Sequence, residues 1–250
     1  AGGSESDNWA LKATYEAYKS KGNHIITTKI EHHAILHTCE WLEKQGAKIT
    51  YLDVDENGVV DLDQLQKAIT PETILISVMA ANNEIGTLQP IKEIGAIAKE
   101  HGILFHTDAV QAFCQVPINV DECNIDMLSS SGHKINGPKG IGCLYIRKGL
   151  KLRSFVHGGA QERKRRAGTE NVPGIAGLSL AAKTIYNNLD KKVEKMRMLK
   201  QHFIEGVEKI ENTTIHGLYD ETSAPHIISV GIAGIRSEVL LHALEDKGIY

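Results

Sequence analysis

The sequence predicts an α/β fold: a mostly parallel sheet covered by helices, leading into the start of a smaller α+β C-terminal domain. Two observations carry this. Short β-branched runs at 25–28, 49–52, 74–79, 103–107 and 125–129 alternate with amphipathic stretches at 34–44, 62–69 and 91–101, and connections of that length join parallel strands buried on both faces. Past about 188 the rhythm gives way to a charged helix over 189–211, a strand at 226–231 and a helix at 238–247. The expected domains are therefore a large one over 1–188 and part of a smaller one over 189–250.

Each element has a local reason. Ser4-x-x-Asp7 has the spacing of a capping box, and Trp9, Leu11, Ala13, Tyr15, Ala17 and Tyr18 carry a helix toward Gly22. Asn57-Gly58 marks a turn before Val59-Val60, and Asp61 reads as the N-cap of the next helix. The glycines of 137–140 precede a strand at 143–146 instead of opening a helix, so they are not a dinucleotide fingerprint, and no phosphate-loop motif is present. The chain lacks an initiating Met, opens on a glycine turn feeding a helix, and stops at Lys247-Gly248-Ile249-Tyr250 as a helix cap passes into an apolar stretch. It reads as a piece of a longer protein, truncated at both ends.

Composition excludes several classes of function. At 250 residues, 42% hydrophobic and 24% charged, the chain can bury a sizeable core. No apolar run approaches the roughly 20 residues of a membrane span, and a net charge of −3 gives no reason to expect a nucleic-acid partner. Cys39, Cys114, Cys123 and Cys143 are scattered without CxxC pairing, as free thiols would be in a reducing compartment. A cytoplasmic setting, or an organelle matrix, fits best.

The chemistry gathers at predicted strand ends. Thr107-Asp108-Ala109-Val110-Gln111 and Ser129-Ser130-Ser131-Gly132-His133-Lys134 put a carboxylate, small hydroxyls and a lysine where α/β sheets bind ligands. Pyridoxal 5′-phosphate (PLP) needs that pairing: a lysine to bond its aldehyde, and an anion beside the pyridine nitrogen to keep the ring an electron sink. Asp108 serves equally as the cap of a helix starting at Ala109, and Gln111 is placed to donate to the ring oxygen. Gly2-Gly3-Ser4 opens a helix whose free N–H groups suit a phosphate or an ordinary cap. His32, after a strand, suits stacking on an aromatic ring and proton transfer. Asn82-Asn83-Glu84 ends another strand, as a polar contact or as turn residues.

Two features point elsewhere. His33 and His37 are an i, i+4 pair beside His24 and His32, but no third ligand stands at a recognised spacing and no metal is expected. Arg163-Lys164-Arg165-Arg166 is a dense basic run without interleaved aromatics, so a solvated or subunit-facing loop is expected rather than a nucleic-acid patch.

Taken in order, Gly2-Gly3-Ser4-Glu5-Ser6-Asp7-Asn8, Glu31-His32, Asn82-Asn83-Glu84-Ile85-Gly86, Thr107-Asp108-Ala109-Val110-Gln111, the stretch from Ser131 to Gly140, and Arg166-Ala167-Gly168-Thr169-Glu170-Asn171 resemble the cysteine desulfurases of the NifS/IscS type. These belong to the class-V aminotransferase group of fold-type I PLP enzymes. The resemblance implies a PLP-dependent transferase-like large domain, a smaller C-terminal domain and a homodimer. It implies catalytic roles for Lys134, which holds PLP, and His32, which stacks on it. Asp108 pairs with the ring nitrogen, Asn83 and Gln111 touch ring substituents, and Gly3, Ser4, Ser131 and His133 bind the phosphate with Thr169 of the second subunit.

The implied reaction turns L-cysteine into L-alanine, leaving the sulfur on an enzyme cysteine as a persulfide. An iron–sulfur scaffold or another sulfur-acceptor protein then takes it. The family's nucleophilic cysteine and its carboxylate-binding arginine lie beyond the matching positions, none of the four cysteines here corresponds, and this piece alone is expected to be inactive. Selenocysteine lyases and other class-V enzymes share the motifs, and a non-catalytic assembly scaffold would keep the fold.

Overall fold

A computed structural model describes residues 1–249; Tyr250, where the expected terminal apolar stretch ends, lies outside the described residues. Five parallel strands, β1 (His24–Thr28), β2 (Lys48–Leu52), β3 (Thr73–Ser77), β4 (Leu104–Asp108) and β5 (Met127–Ser131), are joined by β6 (Gly142–Ile146), antiparallel to β5. The sheet order is β2-β1-β3-β4-β5-β6. After β2 the chain therefore returns to the far side of β1, so the strand order reverses between β1 and β3.

β1, β3 and β5 are buried along their whole length, whereas rim strand β2 is largely open. That is why the inner strands read as runs of Ile, Leu and Thr instead of alternating. Residues on opposite sides of the pleat feed two cores. Ile26, Ile76, Phe105 and Leu128 meet Leu65, Ile94 and Ile97 of α3 (Leu62–Ala68) and α4 (Ile91–Glu100). Ile25, Leu75 and Met127 meet Ala10, Leu11, Ile35 and Leu42 of α1 (Gly3–Tyr18) and α2 (His33–Glu43).

The predicted capping box does not form. Gly2 is the N-cap of α1, no side chain caps the helix, and its φ of 126° is one that glycine reaches freely. Ser4 is left exposed in the first turn, while Asp7, one turn later, faces the sheet and is 1% exposed. Asp61 does cap α3, accepting from Asp63 N and Gln64 N. The strand expected at 125–129 is displaced to Met127–Ser131, because Ile125 N is tied back to Val120 O; the shift draws three serines into the sheet.

Beyond β6 come α5 (Gln161–Lys164), α6 (Val172–Tyr186), α7 (Leu189–Val207), β7 (Thr213–His216), β8 (Ser229–Ile232) and α8 (Ser237–Glu245), with β7 and β8 forming a separate antiparallel pair. The sequence reading gave no expectation for α6 or β7. Leu88 N to Thr222 O and Ala224 N to Gly86 O stitch this region to the loop after β3. Lys200, 4% exposed, reinforces the seam by donating to Ser223 Oγ at 2.8 Å and Ala224 O at 3.0 Å.

Candidate functional site

The carboxyl ends of β1, β3, β4 and β5 lie side by side and open into turns that carry His32, Asn83, Asp108 to Gln111 and Lys134. On the side facing α1 the strands turn polar toward these ends: Ser77, His106, Asp108, Ser129 and Ser131 follow the apolar Leu75, Leu104 and Met127. Helix α1 runs along this gradient. Thr14 bonds the Met127 sulfur at 3.7 Å, Asp7 stands over His106, and Gly3 reaches Ser131 and Val110.

At the helix start, a Cβ on Gly3 would fall 2.6 Å from Val110 Cγ2. Only glycine lets α1 come that close to the turn after β4. Its uncapped first N–H groups thereby meet Ser131, whose hydroxyl lies 2.8 Å from His133 Nδ1, with the exposed Ser4 beside them. Unpaired helix amides flanked by a serine and a histidine make a corner suited to an anion.

Asp108 lies at the end of β4, 5% exposed, with Oδ1 accepting from Val110 N at 2.8 Å. The helix expected from Ala109 does not form; the segment is a turn, and this bond closes it. Burial pushes its carboxyl up to about 6, against the pull of that bond. Beneath it His106 is fully buried between Ser77 Oγ at 2.9 Å and Ser129 Oγ at 3.0 Å, and burial drives its imidazole down to about 3, so the ring is neutral. Asp7 Oδ1, buried without a partner, is 3.9 Å from His106 Nε2, and burial followed by the charge of Asp108 raises Asp7 well above the usual carboxylate range. Burial also pushes Glu31 up to about 8. Burial thus disfavours the charged form of all three acids.

Lys134 follows β5 on a 3-10 turn over Gly132–Ile135; its side chain is exposed and its carbonyl accepts from Gln115 Nε2 at 3.2 Å. The Lys134 charge depresses both His32 and His226, after burial and nearer cations, so the three groups share one pole of the molecule. His32 is the N-cap of α2: its Nδ1 accepts from Ala34 N at 3.1 Å, which places the neutral ring's proton on Nε2. Gln111 Oε1 is 3.4 Å from His226 Nε2. Nothing in the sequence pattern singled out His226, which follows Pro225 without a motif.

The two asparagines divide the alternatives left open. Asn82 makes the turn, accepting from Glu84 N and Ile85 N and donating to Ile30 O. Asn83 is half-buried, with no side-chain hydrogen bond among the described residues. Thr169 is exposed and lines a cavity of about 610 Å³ with Glu5, Trp9, Cys143 and Arg166, running along β6 from Gly142, which pairs with Ser131. Arg166 pairs there with Glu5 at 3.0 Å. His33 and His37 stack at 5.0 Å between ring centroids, and among the described residues no group of three or more metal-ligating side chains occurs. Burial raises all four thiols above their ordinary value, Cys114 to about 11, so none is held as a thiolate.

The whole chain, residues 1–250, matches the family model described as aminotransferase class-V. The chain belongs to the class-V aminotransferase family. Within it, the sequence is 56% identical over its full length to cysteine desulfurase IscS of Methanosarcina thermophila, of which it spans 62%, and 52% identical to cysteine desulfurase IscS of Clostridium botulinum, of which it spans 64%. Among solved structures, a NifS-like protein superposes with a TM-score of 0.96 at 40% identity, over all of this chain and 68% of that one. A structure of SspA in complex with cysteine matches with a TM-score of 0.81 at 36% identity, over 100% of this chain and 69% of that one. The large parallel sheet is thus that of the PLP-dependent transferase fold.

Proposed function

We propose that the protein is a PLP-dependent cysteine desulfurase that removes sulfur from L-cysteine to leave L-alanine. The observation that carries this reading is the grouping of Asp108, Lys134 and His32 at adjacent strand ends, beside the uncapped start of α1, in a chain half identical to cysteine desulfurases. The residues fit PLP. A buried carboxyl raised to about 6 lacks a cation, and a ring nitrogen provides one; the uncapped start of α1, beside Ser131 and His133, suits a phosphate.

Bound PLP supplies an electron sink for the substrate's α-carbon. The residues here act around it. Gly3 and Ser4 amides, Ser131 and His133 hold the phosphate, joined by Thr169 of a second copy. Asp108 keeps the ring nitrogen protonated. Asn83 and Gln111 contact ring substituents. His32 would stack on the ring with Nε2–H free for proton exchange; Lys134 Nζ would hold the cofactor, and once freed by the substrate's amine it would be the base for the α-proton. Since no thiol here is held as a thiolate, the sulfur-accepting cysteine is assigned to the length of the relatives that this chain does not span.

Residues 1–188 would form the cofactor-binding domain and 189–250 part of the smaller one. A homodimer, an iron–sulfur scaffold or other sulfur acceptor as partner, and a cytoplasmic or organelle-matrix setting complete the reading. No described helix is long and apolar enough to cross a membrane. Adding PLP should give a visible absorption band that Lys134→Ala abolishes, and a longer protein containing this chain should release sulfide and alanine from L-cysteine. No band in the wild-type chain, or no alanine from that longer protein, rejects the reading.

A further inference from the structure

The turn that presents His32 is held by one buried acid. Glu31, 5% exposed, accepts with Oε1 from Thr28 Oγ1 at 2.8 Å and from Met79 N at 3.0 Å, while Ile30 O takes Asn82 Nδ2 at 3.0 Å. The bonds to Met79 and Asn82 cross from β1 to the segment after β3, where the strand order reverses. Glu31 Oε2 is buried with no partner. Asp108 from β4 acts on it, and it acts in turn on Asp7 from α1 and Cys39 from α2, none of them cationic.

We propose that Glu31 is the positioning residue of His32: as a neutral acid it clamps the turn to the end of β3, and loss of its proton releases the turn. An ionised Glu31 would leave a buried, unpartnered oxygen carrying charge, and moving the turn toward water is the relief open to it. The bonds from Thr28 and Met79 favour the anion, but burial outweighs them and lifts the group to about 8. The clamp belongs to the cofactor-free chain; only its consequence for catalysis rests on reading His32 as the group that stacks on PLP.

Ring-proton NMR of His32 in the cofactor-free protein, assigned by comparison with His32→Asn and followed from pH 6.5 to 9.5, tests this. Burial sets His32's own titration below its ordinary value. The wild-type signal should then move with a midpoint near 8, and Glu31→Gln, which keeps the Oε1 acceptor but cannot titrate, should abolish the step. Thr28→Val removes a bond that favours the anion and should move the midpoint up by about half a unit or more. A step that survives in Glu31→Gln, or a midpoint unmoved in Thr28→Val, overturns the proposal; should Glu31→Gln fail to fold, Thr28→Val decides alone. Absence of a PLP band would sink the proposed function without touching this result.

Discussion

Asp108 and His106 share one side of β4 two residues apart, and burial makes each prefer its neutral form. For Asp108, raised from 3.8 to about 6, the proton is lost just below neutrality. A cationic ring nitrogen should therefore pair with an ionised Asp108 at pH 7, and because that cation itself pulls the carboxyl down, the pairing should persist until pH falls below 6. Asp108→Asn should weaken PLP binding about tenfold or more, one unit of ring-nitrogen pKa being worth about 1.4 kcal/mol; the visible band titrated against PLP measures it. The neighbouring asparagines should separate by stability. Asn82→Ala leaves two N–H groups and a carbonyl without their partner and should cost about 1–3 kcal/mol, whereas Asn83→Ala should stay within about 0.5 kcal/mol, both read by urea unfolding. Asp108 and Lys134 were legible because each falls at the end of a predicted strand. Asp7 was read only as half of a capping box, Glu31 only as the neighbour of His32, and His226 was not singled out, because their part depends on burial against elements distant in sequence.

α4 touches the rest of the fold through an absence. A Cβ on Gly95 would fall 1.8 Å from the carbonyl oxygen of Cys123 and 3.2 Å from the Phe105 ring. Alanine gains about 1 kcal/mol of helix propensity over glycine, but forcing α4 off that backbone should cost about 1–3 kcal/mol or more. Gly95→Ala should thus lower the melting temperature, with Gly206→Ala, where a Cβ meets nothing within 4 Å, as the control that raises it. At this scale the buried strands were readable from apolar runs, and the cap at Asp61 from its spacing. The Ser4 cap failed because Gly2 takes the N-cap position one turn before Asp7. β7 escaped because four residues of half-open Thr-Thr-Ile-His carry no pattern apart from their pairing with β8.

Over the whole molecule, buried acids set an unusual pH dependence. Glu31 is raised from 4.5 to about 8, so the folded state holds a proton that the unfolded chain has lost between those values, and stability falls as pH rises across that interval. His106, lowered from 6.5 to about 3, works the other way: its contribution is complete above 6.5 and is lost as pH falls toward 3. Between pH 6.5 and 8 the histidine no longer opposes the acid. Stability should therefore decline there, by about 1.4 kcal/mol per pH unit for each proton involved, and Glu31→Gln should flatten the decline in urea melts.

One arrangement in the large sheet bears on how the chain finds its shape. β5 and β6 are neighbours in sequence and pair antiparallel, with Ser131 opposite Gly142 at the closed end, while every other pairing in that sheet is parallel and needs a longer crossover. Loop-closure entropy favours the short connection first. The hairpin carrying Lys134 at its tip is thus expected to close before the strands bearing His32 and Asp108 pair.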